Sequence, residues 1–204
     1  MVHDYFAHLF QTEPYEVNDD VLNAVKLKVT PEMNQGLLAP FSYDEVKYAL
    51  FSIGDLKAPG PDGLHAIFYK RFWHMSGDDL VQEVLQAVNS ASVPDGWNDT
   101  TIVMIPKVDN PEKVAQFRPI SLCNAVYKVI SKMLATRMKG IMPNVISGQQ
   151  SAFVPRRLIM DNILIAYECV HAIKRKKGKR GLCAVKLDMH KAYDRVEWGF
   201  LKKK

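Results

Sequence analysis

Pro59-Gly60-Pro61-Asp62-Gly63 sets two prolines and two glycines within five residues. Proline lacks the amide hydrogen that a helix or ladder uses, and glycine disfavours both states entropically, so this stretch is a tight, preformed loop. Its neighbours must therefore fold as separate elements. Upstream, Ser42-Tyr43-Asp44-Glu45 is a capping box ahead of Val46, Ala49, Leu50 and Ile53, which predicts a helix from about 43 to 54, stopped by Gly54. Downstream, Ile67, Phe68, Phe72 and Trp73 recur at helical spacing. A second amphipathic helix carries Leu80, Val81, Val84, Leu85 and Val88 on one face, with Ser76 to Asp79 at its acidic start.

Pro94, Asp95 and Gly96 interrupt the chain again, and the β-branched run Thr101–Ile105, closed by Pro106, predicts a strand. Val126, Val129, Ile130, Met133, Leu134 and Met138 define a long helix, and Ile159, Ile163, Ala166, Tyr167, Val170 and Ile173 another. The basic run from Lys174 to Arg180 precedes Leu182–Leu187, an apolar stretch of the length of a buried strand. Tyr5, Phe6, Leu9 and Phe10 fit one short helix, and Asp19 and Asp20 begin another. The fold class is α+β, helix-rich, with its few strands mainly in the second half.

At 204 residues and 48% hydrophobic the chain is long enough for one domain, or one and a half small ones, around a real core. No apolar run approaches the roughly 18 residues that span a bilayer, and the opening MVHDYFAHLF lacks the pattern of a secretory signal. Cys123, Cys169 and Cys183 are an odd number, far apart, without metal-ligand spacing. Reduced, mostly buried thiols in an intracellular protein are the expectation.

Charge is segregated. Residues 1–100 hold 6 Lys+Arg against 15 Asp+Glu, a net of −9; residues 101–204 hold 21 against 7, a net of +14. A cationic half suits a polyanion such as nucleic acid, although solvated faces of differing composition would give the same count.

Asp188 follows the apolar run at 182–187, where a hard oxygen ligand for Mg²⁺ is often placed, although an Asp in that position taken alone is more often a helix cap. Lys107 follows the first strand, and Arg118 lies in Phe117-Arg118-Pro119-Ile120. Cations on short rigid segments suit a triphosphate; a strand end and an ordinary ion pair are the plainer reading of each.

In order along the chain stand AlaProGlyProAspGly (58–63), IlePheTyrLys (67–70), IleProLys (105–107), PheArgProIleSerLeuCysAsn (117–124), GlnSerAlaPheValPro (150–155), AspAsn (161–162) and LysLeuAspMetHisLysAlaTyrAspArgValGluTrp (186–198). This set resembles the reverse transcriptase of plant LINE-type (non-LTR) retrotransposons, over roughly residues 40 to 201. The resemblance implies a right-hand polymerase that works on an RNA template, a DNA primer and dNTPs with Mg²⁺. Residues 1–40 would be an N-terminal segment, 41–181 the fingers region and 182–204 the beginning of the palm. It also implies roles. Asp188 matches the catalytic, metal-binding aspartate of the first palm motif, with the backbone carbonyl of Met189 beside the metals. Tyr193 would lie under the incoming sugar and exclude a 2′-hydroxyl, or be a core tyrosine. Lys107 and Arg118 would clamp the nucleotide's phosphates. Arg157 and Asp161 would make template or structural contacts. Lys174, Arg175, Lys176, Lys177, Lys179 and Arg180 supply a surface for nucleic acid, or a solvated loop or nuclear-import-like cluster.

Three departures stand out. Arg156 replaces a glycine usual in the family, which predicts strain of about 1 kcal/mol if that position has positive φ. His190 stands where a small hydroxyl residue is common. The second pair of catalytic aspartates, in an aromatic-x-Asp-Asp hairpin, does not occur in these 204 residues, and the ending Phe200-Leu-Lys-Lys-Lys204 reads like a truncation or frameshift. The expectation is a polymerase fragment, inactive alone; the alternatives are a non-catalytic nucleic-acid-binding fragment and a functionless relic.

Overall fold

The capping box forms as read: Ser42 Oγ accepts the Glu45 N–H at 3.3 Å, and Glu45 Oε2 accepts the Ser42 N–H at 3.0 Å. The computed structural model describes residues 2–12, 19–178, 181–188 and 192–202. The described helices are α1 (Val2–Leu9), α2 (Asp19–Ala24), α3 (Pro31–Leu38), α4 (Tyr43–Phe51), α5 (Ala66–Arg71), α6 (Trp73–Asn89), α7 (Ala125–Val145), α8 (Ile159–Arg175) and α9 (Trp198–Lys202). Strands β1 (Thr100–Pro106) and β2 (Phe117–Cys123) form one antiparallel hairpin. The chain divides into two compact units, residues 29–142 and residues 1–28 with 143–204. The architecture is α+β and helix-rich, as the hydrophobic periodicity predicts.

In the first unit the core is a seam between four helices. Val46, Ala49 and Leu50 of α4, Ala66 of α5, Leu80, Val81, Val84 and Ala87 of α6, and Val129, Ile130 and Met133 of α7 are all buried. In α4, α6 and α7 most of these are positions that the sequence marks as apolar stripes, but Leu134 and Met138 of α7 are exposed, and around α5 the buried residue is Ala66 while the expected Phe68 and Phe72 are exposed. Phe41, Tyr69, Trp73 and Trp97 pack around its margin.

Two cations tie loops onto this seam. Arg137 of α7 forks onto Glu45 at 2.7 and 2.9 Å, and also donates to the carbonyls of Leu37, Ala39 and Pro40. Its guanidinium lies 3.4 Å from the centroid of the Phe41 ring. Lys70 of α5 donates to the carbonyls of Phe51 and Ile53 and to the Asp55 carboxylate at 2.6 Å, closing the C-terminal end of α4.

In the second unit Phe6, Leu22 and Val154 are buried, and Asn162 donates to the buried Ser151 hydroxyl at 2.8 Å. Helix α8 buries none of its residues; Ile159, Ile163, Leu164 and Tyr167 are each more than half exposed. The strand expected at 182–187 does not form: residues 181–188 have no regular structure, and Leu182, Val185 and Leu187 are exposed. A strand is stabilised by the ladder on its flank, and no described segment pairs with this one. The expectation of mostly buried thiols also fails. Cys169 on α8 and Cys183 are exposed, because neither segment is covered, while Cys123 at the end of β2 is partly buried and free like the others.

Candidate functional site

The hairpin starts from a fixed root. Asn124, directly after β2, is buried; its Oδ1 accepts the Asp62 N–H at 3.2 Å and its Nδ2 donates to the Gly96 carbonyl at 2.9 Å. One side chain thus joins the Pro-Gly-Pro-Asp-Gly loop, the turn ahead of β1 and the end of β2. Lys128, one turn into α7, donates to the Ala58 carbonyl at 2.5 Å. Within the loop Asp62 Oδ1 accepts the Leu64 N–H at 3.0 Å, an Asx turn that holds Gly63 at φ +68°. The Tyr69 hydroxyl nearby has its pKa raised, first by burial and then by the Asp62 carboxylate.

From this root β1 and β2 run out in register, Thr100 opposite Cys123 and Ile105 opposite Arg118. Beyond Pro106 the Lys107 N–H still donates to the Gln116 carbonyl at 2.8 Å, so the ladder continues by one pair. Side chains alternate along a strand, and Lys107 therefore falls on the face of Ile105 and its partner Arg118. Both cations are exposed near the far end of the hairpin. Lys107 Nζ donates to the Ala115 carbonyl at 3.0 Å, whereas the Arg118 guanidinium has no hydrogen-bond or ion-pair partner among the described residues. The hairpin is clothed on neither face: Ile102, Val103, Ile105 and Ile120 are all exposed. Such a site can meet an anion from solution.

The remaining residues singled out in the sequence lie in the other compact unit. Asp188 is exposed, and Tyr193, in a short 3₁₀ turn at Tyr193–Arg195, is 92% exposed. Arg157 donates to the carbonyls of Pro143, Ile146, Ser147 and Gln150, closing the end of α7 against the following turn. Asp161 occupies the first turn of α8, whose positive dipole end suits a carboxylate. Lys174 and Arg175 end α8, and with Lys176 and Lys177 they form an exposed cationic stretch. Met189, Lys179 and Arg180 lie outside the described residues. Among the described residues no group of three or more His, Cys, Asp or Glu side chains is placed to hold a metal. Asp188 alone is one hard oxygen donor, and these residues do not make a complete Mg²⁺ site. No described helix is long and apolar enough to cross a membrane.

One residue central to this geometry, Asn124, has no role assigned from the sequence alone. Asn124 sits inside a quoted motif, and its sequence signal is indirect: Gly60, where the backbone of another segment comes close. The glycine expected at position 156 bears out its logic, since Arg156 has φ +65°.

Residues 105–204, which begin at the end of β1, match the family model described as "Reverse transcriptase (RNA-dependent DNA polymerase)". The chain is similar to the "Transposon TX1 uncharacterized 149 kDa protein" of Xenopus laevis, 28% identical over 97% of this chain and 15% of that protein. It is similar to the "Retrovirus-related Pol polyprotein from type-1 retrotransposable element R2" of Bradysia coprophila, 27% identical over 95% of this chain and 21% of the relative. It is also similar to the "Probable RNA-directed DNA polymerase from transposon BS" of Drosophila melanogaster, 25% identical over 94% of this chain and 21% of that protein. The chain thus spans about a fifth or less of the length of these curated relatives. Residues 105–204 thus match the reverse transcriptase family model, and nearly the whole chain is similar to the proteins of these transposable elements.

Proposed function

We propose that this chain is the fingers region (41–181) and first palm segment (182–204) of a plant LINE-type RNA-directed DNA polymerase, with residues 1–40 as its approach. The observation that carries the reading is the shared face of Lys107 and Arg118 at the far end of a hairpin exposed on both sides. Two cations there neutralise a dNTP triphosphate, while the parent enzyme's primer 3′-hydroxyl attacks the α-phosphorus and pyrophosphate leaves. Asp188 would be the carboxylate that this segment contributes toward Mg²⁺, together with the Met189 carbonyl, and Tyr193 would be the steric gate against a 2′-hydroxyl. Lys174–Arg180 takes the phosphate backbone of template or primer, and Arg157 holds the turn that leads to it. A nuclear site of action follows from such a substrate.

Asp188 by itself is too few carboxylates for the chemistry, which needs ligands that clamp two ions about 3.5–4 Å apart. The 204-residue chain alone is therefore a nucleotide- and nucleic-acid-binding segment without polymerase activity. Primer extension on an RNA template with Mg²⁺ or Mn²⁺ tests this. No product above background is expected; product abolished by Asp188→Ala would overturn the reading. A purely nucleic-acid-binding role is favoured by one observation, the exposed run Lys174–Lys177, and predicts nucleic-acid affinity with no response to dNTP.

A further inference from the structure

The β1–β2 hairpin is exposed on both faces, so its direction is set where it is rooted rather than by packing along its length. That root is Asn124. Its Oδ1 receives the Asp62 N–H, its Nδ2 reaches the Gly96 carbonyl ahead of β1, and its own backbone continues directly from β2. Both strands and the rigid loop at 58–63 therefore meet at one buried side chain. The lever is long. From Thr100 to Pro106 the strand rises about 20 Å, so a swing of about 10° at the root moves the far end by roughly 3–4 Å.

We infer that Asn124 is the positioning residue of the hairpin, fixing the aim of Lys107 and Arg118 toward a nucleoside triphosphate. The inference rests on the reading of those two cations as a phosphate clamp. Asn124 touches no substrate; it acts through the hairpin. The informative variant is Asn124→Asp, which keeps the acceptor for Asp62 N–H and replaces the donor with a second oxygen facing the Gly96 carbonyl. Two carbonyl-type oxygens at hydrogen-bond distance repel, and the turn ahead of β1 is released while the volume of the side chain is preserved.

The test uses the whole 204-residue chain, labelled with ¹⁵N, and dTTP as the probe. Residual dipolar couplings of the hairpin amides should fit one alignment tensor with α4 to α7 in the unaltered protein. In Asn124→Asp they should need a separate, smaller tensor, while amide exchange at Val129–Met133 stays slow. The dTTP dissociation constant should rise about five- to tenfold, comparable to losing one ordinary hydrogen bond. Arg118→Ala should weaken dTTP without altering the couplings. A hairpin that keeps its full shared tensor in Asn124→Asp overturns the inference, whatever dTTP does. An unaltered tensor and affinity in Arg118→Ala, with released couplings in Asn124→Asp, would instead remove the phosphate clamp and leave Asn124 as the hairpin's root. If Asn124→Asp loses slow exchange at Val129–Met133, Asn124→Ser is measured in its place, with the same two outcomes.

Discussion

Gly60 lies so close to Asn124 that a Cβ on the glycine would stand 2.2 Å from Asn124 Oδ1, 2.4 Å from its backbone nitrogen and 2.6 Å from the Cys123 carbonyl carbon. Two of the three atoms are backbone, so no rotamer change relieves the overlap. The loop and the root of the hairpin are therefore in contact through the one residue type that permits it.

Gly60→Ala should accordingly cost about 1–3 kcal/mol, the range for forced overpacking. Adding Asn124→Ala should not restore it, because the backbone atoms remain. Urea unfolding of the single and double variants measures both; full rescue by the second substitution would mean that only the Asn124 side chain is in the way.

Glu45 supplies the pH dependence. Its hydrogen bonds to Arg137, and secondarily those from Ser42, lower its carboxyl pKa from 4.5 to about 2. The folded pKa lies below the unfolded one, so the stabilisation is complete above about pH 4.5 and is lost as pH falls toward 2. The side chain is 35% exposed, and with solvent screening the loss should be on the order of 1–2 kcal/mol. Glu45→Gln should flatten this part of the stability profile, as followed by thermal unfolding between pH 6 and pH 3.

Much of this molecule is legible in local signals. The capping box at Ser42, the apolar stripe from Leu80 to Val88 and the β-branched run at Thr101–Ile105 depend on near neighbours, and each forms where periodicity and capping place it. Strand β2 shows less clearly, because Pro119 and the polar Ser121 interrupt its alternation and it is recognised only by pairing with β1. Leu182–Leu187 has the composition of a strand but lacks a partner among the described residues, so composition misleads there. Of the site, Lys107 and Arg118 can be named from the sequence. Asn124 cannot, since its partners Asp62 and Gly96 are 62 and 28 residues away.

Arg156 offers a gain in stability. Its φ of +65° is unfavourable for a side chain with a Cβ, and glycine removes that cost while adding some freedom to the unfolded chain. Arg156→Gly should stabilise the protein by roughly 0.5–1 kcal/mol, seen as a rise in Tm of a few degrees. A fall in Tm would show that the Arg156 side chain makes a compensating contact.

The exposed cations Lys174, Arg175, Lys176 and Lys177 predict electrostatic, sequence-independent nucleic-acid binding. Replacing all four with glutamine should lower the slope of log K against log salt by about 0.7 per lost phosphate contact on single strands. Fluorescence anisotropy with a labelled RNA at several salt concentrations reads the slope, and an unchanged slope would place the nucleic-acid surface elsewhere.

The most direct measurement is equilibrium binding of a dNTP to the unaltered chain, followed amide by amide by NMR. Shifts should cluster at Ile105–Lys107 and Phe117–Arg118, and the affinity should fall at least about tenfold in the Lys107→Ala/Arg118→Ala double variant, as expected for losing two charged contacts. Shifts confined to residues outside the hairpin, or an affinity unaltered by the double variant, would contradict the account.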